Sequence, residues 1–226
     1  MSMGAFILYF AVLLIIPIWA QSKVKNAYKK YSQIRNSSGM TGAQVARQIL
    51  DENGLYDIKI EEVKGVLSDH YDPRAKVVRL STDNYHGHSM AAAAVAAHEV
   101  GHAQQDAEEY AFLKFRSALV PLASFGSRGA IYIIIIGFIL SIPSLQLFGI
   151  IFMAAAVLFQ LVTLPVEFDA SSRAMDQLVG TGIIMNNEER ETKKVLDAAA
   201  LTYVAAALVA VMELMRFVFM FLNSND

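Results

Sequence analysis

The feature that most constrains this chain is a block of 38 consecutive residues without a charged side chain, residues 129–166. As one helix the block would be about 57 Å long at ~1.5 Å per residue, whereas the hydrocarbon core of a bilayer is only about 30 Å thick. The block must therefore fold back, and Pro143 with the serines beside it is typical of a turn. We predict two membrane-spanning helices, over 120–142 and 145–164.

Two further apolar blocks lie near the ends of the chain, over residues 4–20 and 198–222. The first is long enough to cross a bilayer, and no basic segment precedes it, which favours an uncleaved membrane helix over a secretory signal peptide. The second contains Glu213 and Arg216, three residues apart on one helical face. We interpret these charges as an ion pair near the helix end, with a functional relay inside the membrane as the alternative.

Composition excludes several classes of protein. Hydrophobic residues make up 55% of the chain and charged residues only 18%, whereas an ordinary soluble domain has about 25% charged residues. The net charge of −2 provides no general attraction to nucleic acid, so we expect the lipid bilayer rather than nucleic acid as a partner. The chain has no cysteine, which excludes disulfides, thiolate zinc ligands and a thiol nucleophile. Any bound metal must be held by histidine, aspartate or glutamate.

Basic residues predict the orientation of the four membrane helices. Seventeen of the 19 lysines and arginines fall in residues 21–117 and 166–197, whereas the short segments on the opposite side, including 223–226, contain none. Cytoplasmic loops of membrane proteins carry an excess of basic residues. We therefore predict a multi-pass protein of the cell membrane whose two polar segments, and with them the active-site domain, face the cytosol.

The longer polar segment has room for a small domain. Thr41 followed by an amphipathic stretch over 42–52 predicts a capped helix. Strand-like patterns over 57–66 and 76–80 predict a β-hairpin with an exposed edge. The alanine-rich stretch over 89–116 is helical in composition. The sequence thus predicts an α+β domain between the first two membrane helices.

One motif in the alanine-rich stretch carries chemistry, the run His98-Glu99-Val100-Gly101-His102. Two histidines four residues apart project from one face of a helix and can bind one Zn²⁺, while the glutamate between them can act as general base on zinc-bound water. We predict His98 and His102 as zinc ligands and Glu99 as the catalytic base, with Gly101 leaving room beside the metal. The alternative interpretation is a helix with two surface histidines.

A zinc hydrolase needs a third protein ligand, which here must be histidine, aspartate or glutamate. Glu167 and Asp169 directly follow the third predicted span, on the side of the membrane that carries the motif. We predict Glu167, at the start of a helical segment over 165–197, as the third ligand; a carboxylate that stabilises a helix N-terminus is the alternative. Asp169 is predicted to orient a histidine N–H. The remaining histidines lie upstream in loop-like sequence: His70, His86 and His88.

Two further residues are candidates for contact with the substrate. Arg173 lies six residues after Glu167, and Tyr203 opens the last predicted span. Either side chain is able to stabilise an oxyanion. We interpret His86 and His88 as solvated loop residues, with substrate contact as the alternative.

Four runs of sequence carry a family resemblance: 69–74 (DHYDPR), 78–81 (VRLS), 95–105 (VAAHEVGHAQQ) and 164–171 (LPVEFDAS). They resemble the YugP-like membrane zinc metallopeptidases of bacteria, and the resemblance extends over essentially the whole chain. More distantly, the chain is similar to the HtpX-like and prenyl-protein proteases. Those proteases are gluzincins, in which the H-E-x-x-H motif is followed by a glutamate-bearing helix.

The resemblance implies one Zn²⁺ per chain and assigns its ligands and the base as above: His98, His102, Glu167 and Glu99. The chain departs from the gluzincin pattern at Ser171. In the related proteases an aspartate typically stands at this place, four residues after the glutamate ligand. Asp169 is then the nearest carboxylate for a histidine-orienting role.

Motif and apolar blocks together predict an α-helical multi-pass membrane protein of about four transmembrane helices with a small α+β zincin-like metallopeptidase domain at the membrane surface. Residues 21–117 form that domain, and segment 165–197 completes its zinc site. The predicted function is zinc-dependent hydrolysis of peptide bonds at the cytosolic membrane interface, with a protein or peptide substrate lying along the strand edge at 76–81. The alternatives are a non-catalytic zinc-binding membrane adaptor and an intramembrane protease of the site-2 type.

Overall fold

The computed structural model describes residues 2–224, so Asn225 and Asp226 of the predicted C-terminal segment lie outside the described residues. The described chain forms helices and one small sheet, in this order: α1 (Met3–Tyr31), α2 (Gly42–Glu52), β1 (Lys59–Val63), β2 (His70–Asp72), β3 (Val77–Ser81), α3 (Thr82–His86), α4 (Met90–Ala107), α5 (Ala111–Ile139), α6 (Pro143–Gly180) and α7 (Asn186–Ser224).

These elements pack into two compact units. The first unit takes its described residues from 1–18, 111–165 and 203–226, and the second unit consists of residues 19–110 and 166–202. The first unit is built from the apolar stretches of long helices, and the second contains the sheet, the short helices and the H-E-x-x-H motif.

Four helices of the described chain are long and apolar enough to cross a membrane: α1, α5, α6 and α7. The turn between α5 and α6 falls at the predicted place, since α5 ends at Ile139 and Pro143 begins α6. Proline suits the first position of a helix because the N–H it lacks would have no partner within the helix. The predicted number of about four helices that are long and apolar enough to span a membrane is confirmed, although each helix extends beyond its predicted span.

The first unit contains the predicted pair of charges on α7. Nη2 of Arg216 lies 2.7 Å from the carboxylate of Glu213. The hydroxyl of Tyr9 donates a hydrogen bond of 2.7 Å to the same carboxylate, and the guanidinium group of Arg216 lies 4.2 Å from the ring centroid of Phe217. Charged groups that would be costly to expose to lipid thus have protein partners.

The three strands of the second unit form one sheet in the order β1-β3-β2. β1 is parallel to β3, with Lys59 opposite Val77, and β2 is antiparallel to β3, with Tyr71 opposite Val78. The predicted hairpin between the strands at 57–66 and 76–80 is therefore wrong. The short turn after β2 makes β2 the antiparallel neighbour of β3, and β1 pairs with the other side of β3 in the parallel direction, which a hairpin does not allow.

The central position of β3 also rules out its predicted role as an open edge. Val77, Val78 and Leu80 are buried, as expected of a strand with neighbours on both sides. The prediction that a peptide substrate pairs along residues 76–81 is wrong, because both sides of that strand are already hydrogen-bonded within the sheet. The edges of the sheet are β1 and β2.

α4 forms the centre of the second unit. Thirteen of its 18 residues are buried, so neighbouring elements surround it on nearly all sides. Most of these residues are alanines, whose small side chains allow close approach of other backbones. α2 packs against α4, and its N-terminus has the predicted cap, a capping box in which Thr41 and Gln44 exchange hydrogen bonds.

Two predicted helical segments are each divided between two helices of the structure. The helical stretch over 89–116 is divided between α4 and α5, because Glu109 adopts a left-handed backbone conformation with φ of 56° that interrupts the helix. The segment over 165–197 is divided between α6 and α7, with Gly182 at φ of 69° in the connection. Glycine adopts this conformation without a steric cost, so a glycine at this position favours the break between α6 and α7.

Candidate metal centre

α4 presents both histidines of the motif on one face. Ser89 caps the helix, its hydroxyl accepting a hydrogen bond of 3.1 Å from the backbone N–H of Ala92. The ring centroids of His98 and His102 are 4.8 Å apart and the ring planes form an angle of 82°. Glu99 follows His98 directly and is only 8% exposed. The local helix thus brings two imidazoles together beside a buried carboxyl group.

Glu167 lies inside α6, which continues through Pro165 to Gly180. The prediction that Glu167 starts a helix is wrong. The alternative role, a carboxylate that stabilises a helix N-terminus, is excluded for the same reason, because Glu167 lies well inside α6. A proline within a helix removes one backbone hydrogen bond, and α6 continues past that loss. The side chain of Glu167 is buried, with 3% of the residue exposed. A buried carboxylate requires partners of opposite charge or hydrogen-bond donors.

α4 and α6 approach each other closely at Gly101. A Cβ atom on Gly101 would lie 2.7 Å from the backbone carbonyl oxygen of Ala170, which is closer than real Cβ atoms come to such a group. Gly101 directly precedes His102, and Ala170 lies three residues after Glu167. The predicted role of Gly101, leaving room beside a metal, is therefore corrected. The missing side chain leaves room for the backbone of α6.

The two histidines and Glu167 converge. Nε2 of His98 lies 3.3 Å, and Nε2 of His102 lies 3.7 Å, from Oε2 of Glu167. Ligand atoms of the three residues all lie within 4.8 Å of one another. Ligands bound about 2.0–2.1 Å from a tetrahedral zinc ion are about 3.3 Å apart, so these spacings fit a zinc site. Among residues 2–224 this is the one group of three or more histidine and acidic side chains that converges in this way.

A second contact orients each histidine from its other ring nitrogen. The hydroxyl of Ser171 lies 3.2 Å from Nδ1 of His98, and Oε1 of Gln105 lies 3.0 Å from Nδ1 of His102. When Nδ1 carries the hydrogen and donates a hydrogen bond to these oxygens, Nε2 carries the lone pair. That lone pair then points toward Glu167, where a metal ion would bind. Sequence reasoning missed the roles of both residues. Gln105 is one turn after His102 and Ser171 one turn after Glu167, which is the signal that could have identified them.

Gln105 links His102 to the predicted orienting residue, Asp169. Its side chain is fully buried, and Nε2 donates to the backbone carbonyl oxygen of Val166 (2.8 Å) and to the carboxylate of Asp169 (2.7 Å). Asp169 also accepts a hydrogen bond of 2.6 Å from Nε of Arg173. The predicted direct contact of Asp169 with a histidine is therefore corrected to an indirect one. Asp169 holds Gln105, and Gln105 orients His102.

Burial shapes the protonation of the site. It raises the pKa of the Glu99 carboxyl above its usual range, although the charges of His98 and His102 act in the opposite direction. Burial lowers the pKa of His102, but hydrogen bonding and charge from Glu167 outweigh it and leave the pKa raised. A carboxylate with a raised pKa is a better proton acceptor near neutral pH.

The converging group does not include the other predicted residues. Arg173 is held by two carboxylates, with Nη1 2.8 Å from Glu108 in addition to its contact with Asp169. Tyr203 lies in α7 and belongs to the first unit, so its role as an oxyanion donor stays a prediction. The remaining histidines contact partners outside the metal group: Glu62 for His86, Gly39 for His88 and Ser68 for His70.

Comparison with known proteins agrees with this geometry. Residues 6–222 match the sequence model of a protein family described as "Putative neutral zinc metallopeptidase". The chain belongs to this family. A relative from Bacillus subtilis (strain 168), named "Putative membrane protease YugP", is 54% identical over 211 residues, which cover 93% of this chain and 94% of the relative. No solved structure matches the chain.

Membership of this zinc metallopeptidase family confirms the YugP-like resemblance and supports a protease role. It also implies zinc as the metal, and the donor set fits, because two imidazole nitrogens and one carboxylate oxygen suit Zn²⁺ better than Ca²⁺ or Mg²⁺. The four apolar helices and the relative's name both indicate a membrane protein, which implies contact with a lipid bilayer. A peptidase acts on protein or peptide substrates.

Proposed function

We propose that the protein is a metalloendopeptidase of the gluzincin type that hydrolyses peptide bonds at the cytosolic surface of the cell membrane. The observation that supports this most is the convergence of His98, His102 and Glu167 within 4.8 Å. These three residues would hold the zinc ion and leave a fourth position open, as in catalytic zinc sites. When bound, zinc supplies a Lewis acid that polarises the peptide carbonyl and lowers the pKa of water.

Glu99 is the proposed general base. Its carboxylate accepts a proton from the attacking water as the water oxygen bonds to the carbonyl carbon of the substrate. The C–N bond then breaks, and Glu99 gives the proton to the leaving amine nitrogen. Burial of Glu99 beside His98 supports this role, because it keeps the carboxylate close to the metal group and away from bulk water.

Ser171 and Gln105 are the proposed positioning residues. The hydroxyl of Ser171 holds the ring of His98, and Gln105 holds the ring of His102. Asp169 contacts Gln105 directly, and Arg173 in turn holds Asp169. Loss of such outer contacts typically weakens metal binding or activity about 10–100-fold, so these residues contribute without touching the metal.

The proposed place of catalysis is the membrane interface. α6 is a membrane helix, and Glu167 follows its apolar stretch directly. α4 is not among the four helices apolar enough to cross a membrane, which disfavours a site-2-type protease with its motif inside a span. The second unit corresponds to the proposed metallopeptidase domain, and the basic residues of 21–117 and 166–197 favour the cytosolic side.

The ligand count argues against a non-catalytic adaptor. Structural zinc sites almost always have four protein ligands, whereas the described residues bring three such groups together. A structural site also has no use for a base next to its ligands. Glu99 stands at that position here, and the catalytic interpretation accounts for it.

The deciding experiment compares wild-type protein with Glu99→Gln and His98→Ala in lipid nanodiscs, using unfolded and membrane-derived peptides and mass spectrometry of the products. Wild-type protein is expected to bind one zinc ion and to cleave. Glu99→Gln should retain zinc and lose cleavage by about 10²–10⁴-fold, because only the base is removed. His98→Ala should lose both zinc and cleavage.

His88→Ala is the matched control, since it removes a histidine whose ring contacts Gly39 rather than the metal group. It should keep both zinc and activity. Cleavage by Glu99→Gln at the wild-type rate would refute the mechanism. Unchanged zinc in His98→Ala would refute the metal site.

A further inference from the structure

A groove of about 670 Å³ lies in the second unit between the C-terminal part of α1 and the N-terminal half of α7. It does not include any residue of the metal group. Aromatic rings, lysines and aliphatic side chains share its walls, among them Trp19, Lys23, Lys30 and Tyr31 from α1, and Lys194 and Leu201 from α7.

The groove lies where both helices change from apolar to polar sequence. In α1 no charged side chain precedes Lys23, and in α7 none lies between Asp197 and Glu213. Trp19 is 50% exposed at this boundary. Tryptophan is enriched at the level of lipid headgroups, where its ring meets apolar chains on one side and polar groups on the other. One end of the groove therefore faces acyl chains and the other faces headgroups.

The polar end of the groove is positively charged. Nζ of Lys23 lies 5.9 Å from the ring centroid of Trp19, and Nζ of Lys30 lies 5.1 Å from that of Tyr31. The one acidic residue of the lining, Asp197, is held by Lys193, which is not part of the lining. Two ammonium groups of α1 are thus available to an anion that enters from the lipid side.

We propose that this groove binds an anionic phospholipid, with its phosphate against Lys23 and Lys30 and its acyl chains along Trp19 and Leu201. Basic pockets beside membrane helices bind anionic headgroups, and each lysine near the surface strengthens the attraction. A zwitterionic lipid gains less, because its own ammonium group is repelled by the lysines. The proposal does not depend on the function of the metal group.

The test uses Trp19, the only tryptophan of the chain, so that its fluorescence reports on this groove alone. The full-length protein is placed in vesicles of phosphatidylcholine with a minor fraction of phosphatidylglycerol. Bromine atoms, which quench tryptophan, are carried on the acyl chains of one lipid or of the other. We expect brominated phosphatidylglycerol to quench Trp19 well beyond its share of the lipid.

Two double variants with the same loss of charge separate a site from general attraction. Lys23→Gln with Lys30→Gln should lower the preference for phosphatidylglycerol by roughly fivefold for each lysine removed. Lys25→Gln with Lys29→Gln alters exposed lysines of the same helix outside the lining and should leave the preference unchanged. High salt should lower the preference of wild-type protein, which provides a measurement that needs no variant.

Four results would overturn the proposal. Quenching of wild-type protein in proportion to bulk lipid composition would mean that no anionic lipid is selected. A preference that does not change with salt would mean that the lysines do not attract the headgroup. Equal losses in the two double variants would mean attraction by the whole basic surface. In detergent without vesicles, an equal change of Trp19 emission with glycerol phosphate and with short-chain phosphatidylglycerol would mean a site for the free phosphate group.

Discussion

The hydroxyl of Ser171 lies 3.2 Å from Nδ1 of His98. Glu167, one helical turn earlier on α6, approaches Nε2 of the same ring at 3.3 Å. One face of α6 therefore contacts both nitrogens of one histidine. In the gluzincins that this chain resembles, an aspartate stands at the position of Ser171. A neutral hydroxyl can accept a hydrogen bond from Nδ1–H as an aspartate does, but it places no negative charge beside the imidazole.

Ser171→Ala is expected to lower zinc affinity about tenfold, the low end of the effect of removing an outer hydrogen bond, because the lost partner is uncharged. Competition against a chelator measures the affinity. Ser117→Ala is the control, since that hydroxyl bonds only to the carbonyl oxygen of Leu113 within α5. Equal affinities for wild-type protein and Ser171→Ala would show that the hydroxyl does not orient His98.

Three substitutions should rank in their effect on zinc affinity: Glu167→Ala most, Gln105→Ala next and Asp169→Ala least. The first removes a proposed ligand, the second leaves Nδ1 of His102 without its acceptor, and the third leaves Gln105 still bonded to the carbonyl oxygen of Val166. The same chelator titration gives the order. A larger loss for Asp169→Ala than for Glu167→Ala would transfer the third ligand to Asp169.

Gly101→Ala should destabilise the protein by about 1–3 kcal/mol, the usual cost of forcing extra volume into a packed contact. The added Cβ would meet the backbone carbonyl oxygen of Ala170, which cannot move aside as a flexible side chain can. Thermal unfolding of the zinc-loaded protein measures the loss. Gly180→Ala, which has no neighbouring atom within 4 Å of its added Cβ, should be close to neutral. Equal melting temperatures for the two variants would contradict the close contact.

Reporter fusions test the proposed orientation. A reporter inserted within 32–39, directly after α1, should be cytosolic, and one placed after Asp226 should lie outside the cell. Three of the four candidate membrane helices, α5, α6 and α7, lie between the two positions, and an odd number of crossings puts them on opposite sides. Activity with the 32–39 reporter outside would invert the topology. Catalysis would then take place on the extracytoplasmic side.

Local features were predictable from the sequence, and long-range pairing was not. The cap at Thr41, the turn before Pro143 and the spacing of His98 and His102 each depend on residues within about one or two helical turns. The sheet order was predicted wrongly because β1 pairs with β3, although β2 lies between them in the sequence. Nothing within either strand specifies parallel pairing.

The supporting residues of the site differ in how far the sequence could indicate them. Gln105 contacts His102 within α4, three residues away, whereas Ser171 meets His98 only where α4 and α6 pack together, near the close approach of Gly101 to Ala170. A glycine in a helix has many uses, so the sequence alone could not distinguish room for a metal from room for a helix. Glu167 was predicted from the need for a third ligand and from the family resemblance, not from any local pattern.

The continuity of α6 has a consequence for how this protein can be handled. One continuous helix contains both an apolar stretch long enough to cross a membrane and Glu167, the third residue of the converging group. A water-soluble fragment limited to residues 21–117 would keep two of the three converging side chains and lack the third. A fragment without α6 would therefore lack a complete metal group. The membrane span is a structural part of the proposed enzyme rather than a tether that could be exchanged.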